Sequence, residues 1–106
     1  MALIKKNHES VKSTKDRIIE ILDGMKELLI YKNEKYGDSA LKPNNIFYKG
    51  DSTNSILIRL DDKIGRIKNN MESLPRVNDV CDIIGYCTLL LASIDVESSD
   101  IKKLMD

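Results

Sequence analysis

A chain of 106 residues is one domain's length, enough for a single core but small enough that oligomerisation would help to stabilise it. Hydrophobic residues at 42% and charged residues at 32%, with five Gly and two Pro, exclude a largely disordered chain. Lys plus Arg and Asp plus Glu number 17 each, so no net field draws the chain to nucleic acid or to an anionic membrane, and any anion site must be local.

Residues 1 to about 12 are polar without a clear period and read as a loose arm or a helical lead-in. From Ser13, an N-cap with Asp16 three residues on, apolar positions Ile18, Ile21, Leu22, Met25, Leu28 and Leu29 recur at helical spacing and predict a first helix ending near Gly37. Gly24 falls inside it at a cost of roughly 1 kcal/mol relative to Ala, a hint of close backbone approach. Residues 37 to 54 are dense in turn formers around Ile46, Phe47 and Tyr48, and predict a long loop with Phe47 as its core anchor.

A second helix is predicted from Thr53 to Asn70, with Ile56, Leu57, Leu60, Ile64 and Ile67 as its core stripe. After Pro75 a third runs from Val77 to Ile94, apolar on almost every side, and is expected to be the central and most buried helix. Ser98 or Ser99 is expected to cap a short final helix reaching Leu104 and Met105. The fold class is therefore all-α: one domain, a small bundle of three long helices plus a short C-terminal helix. A third helix apolar all round has more surface than two neighbours cover, so a homo-oligomer is expected.

The charges are arranged with a period. Arg59, Asp62, Lys63 and Arg66 stand at i, i+3, i+4 and i+7, putting three cations and one carboxylate on one face of the second helix. Alone, this is what a solvated face looks like. Asp79, Asp82 and Tyr86 stand at i, i+3 and i+7 on the third helix, where an unpaired buried carboxylate would cost several kcal/mol. Antiparallel packing would bring the two polar stripes face to face, either as a structural ion-pair network or as a pocket with acids on one wall and cations on the other. The end of the first helix, Lys32, Asn33, Glu34, Lys35, Tyr36, Gly37, Asp38 and Ser39, either closes that pocket or is an ordinary basic helix C-terminus.

Other chemistries find little support. His8 is the one histidine, neither Cys81 nor Cys87 has a metal-type partner spacing, no Gly-rich phosphate loop occurs, and five aromatic residues form no basic-aromatic stripe for single strands. The two cysteines, six apart on different faces of one predicted helix, are expected to be buried thiols of a reducing compartment. The longest apolar stretch, Ile83 to Ile94, is too short for a bilayer span, and the first residues lack a signal-peptide core, so a cytoplasmic location without membrane contact is expected.

The blocks Lys35-Tyr36-Gly37-Asp38-Ser39, Arg59-Leu60-Asp61-Asp62-Lys63-Ile64-Gly65-Arg66 and Asn78-Asp79-Val80-Cys81-Asp82-Ile83-Ile84-Gly85-Tyr86, in this order, resemble the phage nucleotide-modification-associated domain family. The resemblance spans roughly residues 15 to 95. That family is small, helical and often phage-encoded, and it looks related to the all-α NTP pyrophosphohydrolases, which hold magnesium with carboxylates from two helices. The resemblance implies a nucleotide ligand, with Lys35, Arg59, Lys63 and Arg66 toward phosphates and Asp79, Asp82 and Tyr86 toward metal, sugar or base. The chain departs from the catalytic pattern in two places. Asp61 and Asp62 are adjacent and point about 100° apart, so they form no i,i+3 pair. Where relatives commonly carry an acid a turn before the third helix, this chain has Leu74-Pro75-Arg76. Glu20 and Asp23 have the spacing of a second acidic pair but are expected to face solvent.

Two functions from different classes follow. One is a phage-type binding protein that holds or sequesters a nucleotide or nucleotide-derived signal, as a counter to host defence, with no cofactor. The other is a magnesium-dependent nucleotide pyrophosphohydrolase or a helper in nucleotide modification. A third reading, an interaction protein whose charges only fix helix register, stays beside them.

Overall fold

The computed structural model describes residues 11–42 and 50–105. The expectations for the arm before Val11, for His8 and for Ile46, Phe47 and Tyr48 fall outside them. Four helices follow in order: α1 (Thr14–Lys35), α2 (Ser52–Lys68), α3 (Val77–Ser93) and α4 (Ser98–Lys102), the last running into a 3-10 turn, Lys103–Met105. The architecture is all-α, and no strand occurs among the described residues. No single helix among them is long and apolar enough to cross a membrane.

Local signals set the helix ends. Ser13 Oγ accepts from the Asp16 N–H at 3.1 Å, and Asp51 Oδ1 accepts from the Asn54 N–H at 2.8 Å, each satisfying a free donor of a first turn. α1 stops where Gly37 and Asp38 turn left-handed, with φ of 63° and 65°. α4 differs from expectation in its cap: the helix begins at Ser98 behind Glu97, whose N–H donates to Asp100 Oδ2 at 2.9 Å.

α3 lies between α2 and α1, which make no close backbone approach to each other. Three contacts fix an antiparallel α2–α3 register: Thr53 Oγ1 donates to Ser93 Oγ at 2.9 Å, Lys63 reaches Asp82, and Arg66 reaches Asp79. Lys32 reaching Asp82 and Leu29 lying against Gly85 make α1 antiparallel to α3 as well. Ile56 from α2 and Met25 from α1 are buried at the same level of α3 and form the core.

Several expectations change in detail. α3 is central, but of its residues only Asp79 and Gly85 are fully buried, because two neighbours leave its remaining sides open. On α2 the packed stripe runs through Ile56, Leu60, Lys63 and Ile67, while Leu57 and Ile64 are exposed; the α3 carboxylates turn Lys63 inward where an aliphatic side chain was expected. On α1 only Met25 is buried, with Leu28 and Leu29 half-buried, and Ile18, Ile21 and Leu22 are exposed. The cysteines are free thiols, Cys81 half-buried and Cys87 exposed rather than both buried.

The close helix approach is at Gly85, not Gly24. A Cβ on Gly85 would stand 2.9 Å from Leu29 Cδ2, whereas one on Gly24 would meet nothing within 4 Å. Gly24→Ala is expected to stabilise the fold by about 0.5–1 kcal/mol through helix propensity alone. Gly85→Ala should gain clearly less or lose stability, since its methyl must displace Leu29. Thermal melts of the two variants check this, and an equal rise in both would contradict the α1–α3 contact.

Candidate functional site

The third helix supplies the acids. Asp79, in the first turn of α3 where the helix dipole favours a negative charge, is 7% exposed. One turn on, Asp82 is half-buried on the same face. Because α2 runs antiparallel, its cations meet them in reverse order. Lys63 Nζ lies 2.8 Å from Asp82 Oδ2 and 3.9 Å from Asp79 Oδ1, and Arg66 Nη1 lies 3.8 Å from Asp79 Oδ1. From the other side α1 contributes Lys32, whose Nζ is 3.4 Å from Asp82 Oδ1. Asp82 is thus held between ammonium groups of two different helices, and among the described residues no buried side-chain polar atom lacks a hydrogen-bond partner.

Burial of Asp82 works to raise its carboxyl pKa, but the hydrogen bond and charge of Lys63, joined by Lys32, outweigh it and hold the pKa below the usual carboxylate value.

Beyond Arg66 the chain leaves α2, turns through residues 69–76 and enters α3, and this corner encloses a shallow, open hollow of about 190 Å³. Ile67, Leu74 and Pro75 give it an apolar lining, while Arg66, Asn70, Arg76 and Asp79 add polar groups. Arg66 has a side chain 61% exposed, with only the loose contact to Asp79 on its protein side. Arg76 is exposed and makes no ion pair with a described residue. Two guanidinium groups therefore stand at one opening with donors to spare.

Of the nine candidate residues, the structure gathers Lys63, Arg66, Asp79 and Asp82 into one cluster. Arg59 lies one turn before Lys63, level with half-buried Tyr86 by the α2–α3 register, but it and Asp62 are exposed and pair with no described residue. Lys35 is exposed too and rests 5.7 Å from the ring centroid of Tyr36, so both stay at the end of α1 and outside the cluster. Of the residues at the end of α1 that could close the pocket, Lys32 is the one that reaches Asp82. The signal for it was available: Lys32 follows Met25 and Leu29 at i+7 and i+3, on the stripe that α1 buries. Arg76 and Asn70 carry no such periodic signal, because their position depends on the turn between helices.

The chain matches no family model, no curated protein and no solved structure. A magnesium site of the pyrophosphohydrolase type needs several convergent carboxylate oxygens free to bind the ion. Here Asp79 and Asp82 already face ammonium and guanidinium groups, and among the described residues no three His, Cys, Asp or Glu side chains gather. Glu20 is exposed on the far half of α1, paired with Lys12 at 3.0 Å and Arg17 at 3.6 Å. This donor set does not suit the ion.

Because the folded Asp82 carboxyl is more acidic than an unfolded one, the stability it contributes is complete above the ordinary Asp pKa of about 3.9 and is lost as pH falls through the lower folded value. Asp82→Asn should lower stability by about 1–3 kcal/mol at neutral pH. The gap to the parent protein should close in acid. Denaturant titrations across pH measure it, and a gap that widens in acid would contradict the pairing.

Proposed function

We propose that this chain is a small nucleotide-binding protein that holds a phosphate-bearing ligand without converting it, in the manner of a phage protein that withholds a nucleotide or nucleotide-derived signal from the host. One observation carries the reading: Arg66 and Arg76 flank a hollow with both polar and apolar walls, immediately beside a cluster in which Lys63 and Lys32 engage Asp82. A guanidinium pair recognises phosphate oxygens by charge-assisted, bidentate hydrogen bonds, and an apolar wall suits the face of a sugar or base. Asp79 also lines the opening, but with Lys63 3.9 Å and Arg66 3.8 Å from it and Arg76 on the same rim, the charges there sum to an excess of cations.

The volume limits the ligand. A hollow of about 190 Å³ is below the 300–1,000 Å³ of pockets that enclose a whole drug-sized molecule, so it takes the phosphate end and leaves the rest against the surface. Binding without turnover is favoured because Asp79 and Asp82 serve as anchors for cations instead of as ligands for magnesium or as a base. The resemblance of the three sequence blocks to the phage nucleotide-modification-associated family supports the choice of a nucleotide over other phosphorylated molecules.

The test is a panel of nucleoside triphosphates, cyclic dinucleotides and NAD-derived nucleotides, each with and without magnesium, read by melting shift and by chromatography of the ligand. At least one ligand should raise the melting temperature and be recovered intact, since a ligand at 100 times its dissociation constant adds about 2.7 kcal/mol. Arg76→Glu should remove the shift while leaving the free protein's melt unchanged. Release of pyrophosphate would replace this reading with the enzymatic one, and absence of any shift would leave the charges as a structural network.

A further inference from the structure

A carboxylate is the unexpected member of the hollow's lining. Asp79 is 7% exposed and borders the hollow together with Arg66 and Arg76. Its two cationic neighbours, Arg66 Nη1 and Lys63 Nζ, stand 3.8 and 3.9 Å from Oδ1, and its carboxylate makes no hydrogen bond with a described residue. At those distances the charge is compensated while the accepting capacity of the oxygens is not. One turn along the same face Asp82 differs, with Lys63 at 2.8 Å and Lys32 at 3.4 Å. Because no fully buried side-chain oxygen among the described residues lacks a hydrogen-bond partner, what Asp79 keeps open to solvent is its carboxylate, on the side where it borders the hollow. The other groups at this corner are donors. Arg76 begins α3 without a side-chain cap, so the free N–H groups and positive end of a 17-residue helix add to the two guanidinium groups.

Resting on the reading of this hollow as a phosphate site, we propose that Asp79 makes it selective for a terminal phosphate monoester bound with one proton, in preference to phosphodiesters and to anions without a proton. An ionised carboxylate only accepts, and so do the oxygens of an unprotonated anion, so the two repel where they meet. A phosphate that keeps one proton fits both sides of the hollow. Its bare oxygens accept from Arg66 and Arg76, and its remaining P–O–H donates to Asp79 in a charge-assisted hydrogen bond. The proton stays on the ligand and no covalent bond changes. A monoester holds that proton near and below its second pKa of about 6. A phosphodiester has no second proton to offer, and sulfate carries none in water near neutrality. The charged groups around Asp79 are Lys63 and Arg66 from α2 and Arg76 and Asp82 from α3, with Lys32 of α1 reaching only Asp82. Selection of the protonated form therefore falls to Asp79, because Asp82 already accepts from two ammonium groups.

Calorimetric titration of the full chain with adenosine monophosphate, its 3′,5′-cyclic diester, inorganic phosphate and sulfate tests the selectivity. At about pH 5.5 the monoester should bind about 10-fold more tightly than the cyclic diester, which has the same single charge but no proton to donate. Toward about pH 8 the monoester should weaken by about 10-fold although its negative charge grows, while the diester holds constant. At that higher pH inorganic phosphate, a dianion that still carries a proton, should exceed sulfate by about 10-fold. Asp79→Asn, whose amide adds a donor, should lose these preferences and still bind the anions, with its fold checked by circular dichroism. If that variant does not fold, the four titrations of the parent protein decide. Equal affinity for monoester and diester and for phosphate and sulfate, or a folded Asp79→Asn that keeps the preferences, would overturn the proposal and leave the hollow a plain anion site. Binding of none of the four would overturn it together with the phosphate reading.

Discussion

The contact on which the rest of the structure depends is the one between Lys63 and the two carboxylates of α3. It is the shortest ion pair in the interface, at 2.8 Å to Asp82, and it sits where an aliphatic residue would otherwise complete the α2 stripe. An ammonium group drawn out of water is tolerable only with carboxylates on hand, and the carboxylates are tolerable only with cations. Lys32 and Arg66 complete that exchange from α1 and from the end of α2. Among the described residues the same three helices bury only Met25 and Ile56 as large apolar side chains, with Leu29, Leu60 and Ile67 half-buried. Helix register here therefore rests on charge geometry as much as on apolar packing.

That arrangement also decides what the surface can do. Once Lys63 and Lys32 hold Asp82, Arg66 retains most of its donors toward solvent, and Arg76 faces the same corner from the start of α3. The acids anchor cations, and Arg66 takes part in that pairing while most of its side chain stays exposed.

How much of this was legible in the sequence follows from where each signal is stored. Helical spacing predicted α1, α2 and α3 to within a few residues and put Asp79 and Asp82 on one face, because periodicity is a property of a single helix. Which face of a helix packs is a property of the pair. The expected α2 stripe ran through Ile64 by hydropathy, while the observed one runs through Lys63, because the partner helix presents carboxylates there. Lys35 entered with the block that carries the family resemblance, and in the structure its ammonium group is exposed and rests near the Tyr36 ring instead of reaching the α3 carboxylates. Arg76 and Asn70 gained their place from the turn, which no period describes. Gly24 and Gly85 are alike as letters in a helix, and only the crossing of α1 over α3 distinguishes them.

The most direct measurement is a double-mutant cycle between Lys63→Met and Asp82→Leu, with unfolding followed by denaturant at neutral pH. If Lys63 and Asp82 hold α2 on α3, each single variant leaves the other charge with only its longer contact, Asp82 with Lys32 or Lys63 with Asp79, and the double variant recovers part of the loss, giving a coupling of about 1–3 kcal/mol. Strictly additive losses would mean that the two side chains act independently, and the account of both the fold and its candidate site would fall with that result.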